Sequence, residues 1–412
     1  MDTDVVIVGA GIVGLASAYK LAEAGRSVLL VDRKGFAEET SRGNAGAFAF
    51  SDILPLATKD MWRKLPRWLA DPLGPLTVRP EYLPQIMPWL VRFWRAGWPD
   101  RVDAAIRAQG ALMRVARTEM DSLVVSAGIG SMVRSDGVLE LYESEGELRR
   151  SWHEIDAKTR EGIEVRVVRG EVLAALQPGL DPRFVVGTFV PKWQTVSDPY
   201  DFALAIGKAA TDRGVTFRKA EVKALRPLGD GAFIDFADGT SLKAGKVVVA
   251  SGAWSRALTA PLGDLIPLDT ERGYNTTLPP GAFDLRRQLV FPGHGFVVTP
   301  LSNGVRIGGA VELGGLSLPP NFKRSEAMLK KAAMFMPGLK TAGGRQWMGF
   351  RPSLPDSLPV IGRSRPSPHI LYAFGHGHLG LTQSAGTGKL IAELVTGAAP
   401  SLDLAPFSPQ RF

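Results

Sequence analysis

The sequence predicts an α/β fold in two parts: a doubly wound parallel sheet, and a second, α+β domain built on an antiparallel sheet. Three observations predict it. First, the β-branched run at residues 5–8 (VVIV) enters Gly9-Ala10-Gly11-Ile12-Val13-Gly14 and continues with helical spacing over 15–24. A second strand, 27–31, then ends at Asp32. Second, residues 246–250 (KVVVA) and 370–374 (ILYAF) are runs suited to strands buried on both faces, and each enters a turn of small residues. Third, residues 265–345 alternate over 272–278, 288–291, 295–300 and 305–309, the period of half-buried antiparallel strands. Asn303-Gly304 supplies a hairpin turn between the last two.

The amino-terminal order of strand, GxGxxG, helix, strand and acid is the Rossmann-like dinucleotide fingerprint. Gly9 permits the tight turn, Gly11 lets backbone approach a pyrophosphate, and Gly14 lets the helix pack close to the strand. Ile12 and Val13 open the helix, whose N-terminus favours phosphate charge. Asp32 offers acceptors to both ribose hydroxyls and repels a 2′-phosphate, which disfavours an NADP-like ligand; Arg33 follows it. The fingerprint alone does not separate FAD from NAD.

Composition narrows the chemistry. The chain has 412 residues, 45% hydrophobic, a net charge of +8 and no cysteine. That length and apolar content suit two large cores rather than disorder. The absence of cysteine excludes disulfides, thiolate-bound zinc, iron–sulfur clusters and thiol redox chemistry, and fits a reducing compartment. The five histidines show no metal spacing, so no metal is expected. Met1-Asp2-Thr3-Asp4 lacks the positive charge of a secretory leader, and no run reaches the roughly 18 apolar residues of a membrane span. A cytoplasmic location is expected.

Residues 53–110 hold five of the nine tryptophans: Trp62, Trp68, Trp89, Trp94 and Trp98. Between Met61 and Arg101 stand seven basic and three acidic residues, so about half the net charge lies there. Residues 84–98 suit an amphipathic helix with Trp89 and Phe93 on one face and Arg92 and Arg95 on another. Such aromatics read either as core or as an interface to anionic lipid. Helices are also expected at 104–127, 144–161, 199–212 and 325–336. Short strands are expected at 165–168, 215–218 and 221–226, and a hairpin joins 232–236 to 241–243 through Asp238-Gly239.

Two further segments carry a resemblance. Thr40-Ser41-Arg42-Gly43-Asn44-Ala45-Gly46 follows the first unit and alone reads as an ordinary turn. Near the other end, Gly349-Phe350-Arg351-Pro352 precedes Pro355-Asp356-Ser357-Leu358-Pro359-Val360-Ile361-Gly362, then Gly375-His376-Gly377. With the fingerprint, these resemble the glycine/D-amino-acid oxidase family of flavoproteins, particularly bacterial D-amino-acid dehydrogenases, over nearly the whole chain. The implied fold is D-amino-acid oxidase-like: an FAD-binding domain from 1–52, 146–264 and 346–412, and a substrate domain from 53–145 and 265–345.

The resemblance implies non-covalent FAD, consistent with the lack of cysteine for a thioether. It makes Ser41, Asn44 and Ala45 flavin contacts, gives Val222 a backbone contact to adenine, and places Gly252 and Trp254 near the nucleotide. Without it, the 251–254 turn is equally a helix start. Leu379, Gly380, Leu381 and Thr382 begin a helix whose positive end is implied to face the flavin edge that gains charge on reduction. Arg351 matches the position that grips a substrate carboxylate, for which a guanidinium fork is suited; a domain-interface ion pair is the plainer reading. Tyr274 and His378 are candidate substrate contacts, although Tyr274 also reads as a packed strand aromatic. His378 departs from the small or hydroxyl residue common there, and His294 also reads as a solvated turn. Gly386-Thr387-Gly388-Lys389 only superficially looks like a phosphate loop.

The implied activity is dehydrogenation of D-amino acids by hydride transfer to the flavin, giving an imine that hydrolyses to an oxo acid and ammonia. Electrons would pass to quinone or oxygen, with residues 61–101 a candidate contact to the inner membrane face. The alternatives are a secondary amine or imino acid as substrate (D-hydroxyproline, D-proline, sarcosine or glycine), or a flavin subunit of a larger amine dehydrogenase. An aromatic hydroxylase is disfavoured by the lack of a GDAAH-like signature, and nothing points to nucleic acid.

Overall fold

The computed structural model describes residues 3–57, 74 and 76–412. Strands Thr216–Lys219, Val28–Asp32, Thr3–Val8, Ser241–Val249 and Ile370–Phe374 run parallel in that order. The register pairs Val8 with both Val31 and Val249, so Gly9, Asp32 and Ala250 meet at one carboxyl edge. In an open α/β sheet that edge is where a ligand crevice forms. Val222–Leu228 and Gly231–Phe236 extend the sheet as an antiparallel hairpin, and Val360–Arg363 pairs with Ile370–Phe374.

Apolar side chains on both faces of the parallel strands explain their burial. One face packs on helices Ile12–Glu23, Pro199–Asp212 and Gly380–Thr396 through Leu15, Phe202 and Leu390. Asp198 begins the second of these helices, accepting hydrogen bonds from the N–H groups of Tyr200 and Asp201. The long helix Pro99–Ser126 joins the same core through Leu112 and Met120. Close approach accounts for the Gly386-Thr387-Gly388 stretch. A Cβ at Gly386 would stand 2.7 Å from the Ala116 Cα, and one at Gly388 2.8 Å from the Ala16 carbonyl oxygen. The two glycines let the final helix nest between two others.

The second sheet has nine strands, in the order Arg345–Ser353, Asp269–Leu278, Gly304–Leu313, Phe296–Leu301, Gln288–Phe291, Val138–Tyr142, Val186–Val190 and Arg166–Arg169, with Leu76–Val78 beside Gly304–Leu313. One face packs on helix Lys323–Phe335 through Phe291, Phe296 and Phe335. The sheets divide the chain differently from the sequence-based boundaries. Arg166–Arg169 and Val186–Val190 fall within 146–264, yet Val186–Val190 pairs with Val138–Tyr142 and Arg166–Arg169 pairs with Val186–Val190; Arg345–Ser353 pairs with Asp269–Leu278. A strand's local pattern fixes which of its faces is covered but says nothing of which sheet it joins. The expected helix 144–161 is two, Glu145–Arg150 and Trp152–Arg160, broken at Ser151.

Helix Leu83–Ala96 buries Ile86, Trp89 and Phe93 in a small core of their own. Leu83, Met87, Val91 and Trp94 remain exposed. Trp62 and Trp68 lie outside the described residues. Among the described residues, no helix is long and apolar enough to cross a membrane.

Candidate active site

A groove of about 300 Å³ runs along the carboxyl edge of the parallel sheet. It brings together residues separated by over 300 positions: Gly9, Gly11, Ile12, Val13, Asp32, Arg33, Ser41, Asn44, Val222, Gly252, Trp254, Gly380 and Leu381 all line it. Helix Ile12–Glu23 points its N-terminus there and carries no acidic residue in its first turn. The Ile12 N–H donates to Ser41 Oγ at 3.0 Å, tying the Thr40–Gly43 turn to the fingerprint. Gly14 does not touch the groove. A Cβ there would meet the Gly9 carbonyl oxygen at 1.8 Å, so it serves the packing of helix on strand.

Asp32 is shared between architecture and binding. Its Oδ2 accepts from the Ala10 N–H at 2.9 Å and its Oδ1 from the Lys34 N–H at 2.7 Å. A carboxylate retains further acceptor sites for a ribose. Arg33 stacks over the Trp254 ring at 4.3 Å, forming a wall across from Val222. Gly252 and Gly377 both have φ of 55° and border the groove with no atom within 4 Å of where a Cβ would stand. Bare backbone there leaves space for a closely approaching ligand, and these residues fit a dinucleotide such as FAD.

The final helix contributes its N-terminus beside Gly377. The N–H groups of Gly380, Leu381 and Thr382 precede the first intrahelical partner, since the Gln383 N–H is the first to bond back, to Leu379. Leu379 packs with Ala49 and Met113, not in the groove. Thr382 Oγ1 accepts from the Ala49 N–H and donates to the Ala47 carbonyl, and Thr382 itself does not line the groove. His376, which sequence reasoning did not single out, lines the groove; its Nε2 lies 2.9 Å from Thr387 Oγ1. Burial pushes its pKa down to about 3, so the ring is neutral.

Beyond Asn44 and Gly377 opens a cavity of about 860 Å³ bordered by the antiparallel sheet. Ala45 lies here rather than in the groove. Alternation aims Glu271, Gly273 and Asn275 of one strand, and Trp347, Gly349 and Arg351 of its neighbour, into this space. The guanidinium of Arg351 lies over Gly273, where a Cβ would be 2.3 Å from Nη2. Its Nη1 donates to the Ala310 carbonyl at 3.0 Å. Ala310 sits at a bulge with φ of 56°, a strained conformation for a residue with a Cβ, and the bulge aims that carbonyl at Arg351. No described carboxylate lies within ion-pair distance of Arg351. Burial lowers its pKa and the charge of Glu271 opposes that shift; a guanidinium remains charged regardless.

His378 also reaches this cavity, with Nε2 4.0 Å from Asp52 Oδ2. Burial lowers its pKa, Glu271 raises it and Arg351 lowers it, so these groups share one electrostatic neighbourhood. Tyr274 is different. Its strand neighbours face the cavity, but its own side chain is on the opposite face among Phe322 and the second core. Its hydroxyl donates to Glu312 Oε1 and accepts from the Asn321 N–H, both at 2.9 Å. These bonds commit the Tyr274 hydroxyl to packing, although the residue also counts among those lining the cavity. His294 sits on Phe335 with Nε2 3.1 Å from Glu143, away from the cavity lining.

The cavity contains residues that no motif announced. Arg306 donates through Nη1 to the Asn44 carbonyl at 2.6 Å, and Asn275 through Nδ2 to the Gly43 carbonyl at 2.9 Å, clamping the 40–46 turn to the antiparallel sheet. Glu140, Lys158 and Asp52 add charge at another wall. No group of metal-ligating side chains occurs among the described residues.

The chain is similar to known proteins over nearly its whole length. Residues 4–394 match the family described as DAO, FAD dependent oxidoreductase. A D-amino-acid oxidase of Bradyrhizobium diazoefficiens is 34% identical over 99% of this chain and 98% of its own. A D-amino acid dehydrogenase of Rhizobium johnstonii is 30% identical over 99% of both. Among solved structures, glycine oxidase from Geobacillus kaustophilus superposes with a TM-score of 0.76 at 23% identity, covering 99% of this chain and 98% of its own. That likeness bears on the fold alone.

Proposed function

The chain belongs to the DAO family of FAD-dependent oxidoreductases, and from that premise we propose that it dehydrogenates D-amino acids at the Cα–N bond. The observation that carries the reading is Arg351, a cavity-facing guanidinium with no ion-pair partner among the described residues. A half-buried cation without an ion-pair partner favours an anionic ligand, and a planar fork suits a carboxylate. The identities of 34% and 30% to proteins named for D-amino acids support that substrate class.

Bound FAD supplies the acceptor for a hydride leaving the substrate Cα. Arg351 holds the substrate carboxylate and so fixes the Cα–H direction, and the Ala310 carbonyl holds Arg351. The N–H groups of Gly380, Leu381 and Thr382 offer positive potential where the groove meets the cavity. Leu379 adds only its position before that helix. His376 stays neutral at physiological pH, and burial disfavours the charged form of His378. The substrate amine gives up its proton before oxidation; the imine then takes up water and releases ammonia, leaving an oxo acid.

The same arrangement accepts a secondary amine or imino acid, and electrons pass onward to quinone or oxygen. The exposed stripe of Leu83, Met87, Val91 and Trp94, beside Arg92, is the surface we assign to a membrane contact. Binding to anionic vesicles over neutral ones, lost on Trp94→Glu, is the expected result; no binding removes this assignment. The activity itself is tested by steady-state turnover of D- and L-enantiomers with a dye acceptor, alongside oxygen uptake. Preference for a D-enantiomer supports the proposal, and turnover of L-enantiomers or of secondary amines alone rejects it.

A further inference from the structure

We propose that Asp52 selects D-amino acids with a cationic side chain, such as D-lysine, by pairing with the side-chain cation while Arg351 holds the α-carboxylate. This inference rests on the reading of Arg351 given above and deepens it. Asp52 lines the same cavity as Arg351. No described residue donates a hydrogen bond to its carboxylate; the nearest basic group is His378 Nε2 at 4.0 Å. At that distance the ring makes no hydrogen bond to the carboxylate.

The other charges at this wall do not neutralise Asp52. Lys158 Nζ is committed to Glu140 Oε1 at 2.7 Å, and Glu140 Oε2 accepts from Tyr142 and Thr188. Lys158 attracts Asp52 and Glu140 repels it, the attraction being the larger of the two, but Lys158 makes its ion pair with Glu140 and not with Asp52. Among the described residues, the lining then presents Arg351 and Asp52 as opposite charges without an ion-pair partner, with the Glu271 carboxylate, held by Ser353, on the Arg351 side and His378 near both. A ligand with an α-carboxylate and a remote cation matches both. Burial raises the Asp52 pKa to about 6, the expected response of a carboxylate lacking its cation. A volume of about 860 Å³ also exceeds what a glycine- or alanine-sized molecule fills.

The test compares D-lysine with D-norleucine, which has nearly the same chain without the ammonium. In the holoenzyme, kcat/KM should favour D-lysine by about tenfold or more, and Asp52→Asn should lower that ratio by about tenfold or more. Asp52→Glu should restore part of it. A wild-type ratio at or below one overturns the inference, as does a ratio unchanged in Asp52→Asn, including a uniform loss for both substrates. If neither compound is oxidised, the proposed activity fails separately. Ligand-induced thermal shift of the holoenzyme then decides: stabilisation by D-lysine over D-norleucine, lost in Asp52→Asn, supports the inference, and equal shifts overturn it.

Discussion

Replacing Arg351 with alanine removes the two parallel hydrogen bonds that a guanidinium fork makes to a carboxylate. Each bond to a charged group contributes about 1.5–3 kcal/mol, so the pair contributes about 3–6 kcal/mol. At about 1.4 kcal/mol per decade, kcat/KM should fall by roughly 150- to 20,000-fold, mostly through KM. The fold should tolerate the change, because the side chain borders a cavity and its one hydrogen-bond acceptor, the Ala310 carbonyl, can turn to water. FAD should stay bound, since Pro352 rather than Arg351 borders the groove. Arg351→Lys keeps the charge without the fork and should fall between the two. The assay is dye-linked turnover across substrate concentration, with flavin absorbance reporting occupancy. A KM within threefold of wild type at normal turnover and full occupancy would refute the role.

Gly273→Ala places a methyl 2.3 Å from Arg351 Nη2 and should displace the guanidinium, raising KM by about tenfold while the melting temperature hardly moves; an unchanged KM contradicts the placement. Tyr274→Phe removes hydrogen bonds to buried Glu312 and to the Asn321 N–H, so it should cost about 1–3 kcal/mol of stability and leave KM as it was. A large KM change with intact stability would return Tyr274 to the substrate. Asp52→Asn should stabilise the ligand-free protein increasingly as pH rises from about 4 through 6. The native pKa of Asp52 lies above its unfolded value, so wild type loses that contribution across this window and the asparagine variant does not. Paired thermal melts at pH 4 and pH 7.5 check the sign, and a difference that shrinks with pH contradicts it.

The groove was legible because its signals are local. GxGxxG, the terminal Asp32, and the small-residue turns at 251–254 and 375–382 each lie where one strand ends, and the parallel register gathers those ends. The cavity was less legible because it forms between two sheets. Arg351 was found by its motif, whereas Glu271 and Gly273 had only strand alternation to mark them, and Tyr274 could be placed on the right face by the same count of two. Asp52 and Ala310 carried no local signal: one matters through distant charges, the other through a bulge. The sheet membership of residues 166–190 was hidden for a similar reason, since alternation gives a strand its faces but not its partner.

The central claim is that this groove and cavity together take hydride from a D-amino acid held by Arg351. Anaerobic titration of the FAD-loaded protein with D- and L-amino acids measures it most directly. The account predicts saturable bleaching of the flavin by D-enantiomers, with Arg351→Ala needing at least about a hundredfold more substrate for the same effect. Bleaching that is absent, or that Arg351→Ala leaves at the wild-type concentration, contradicts it.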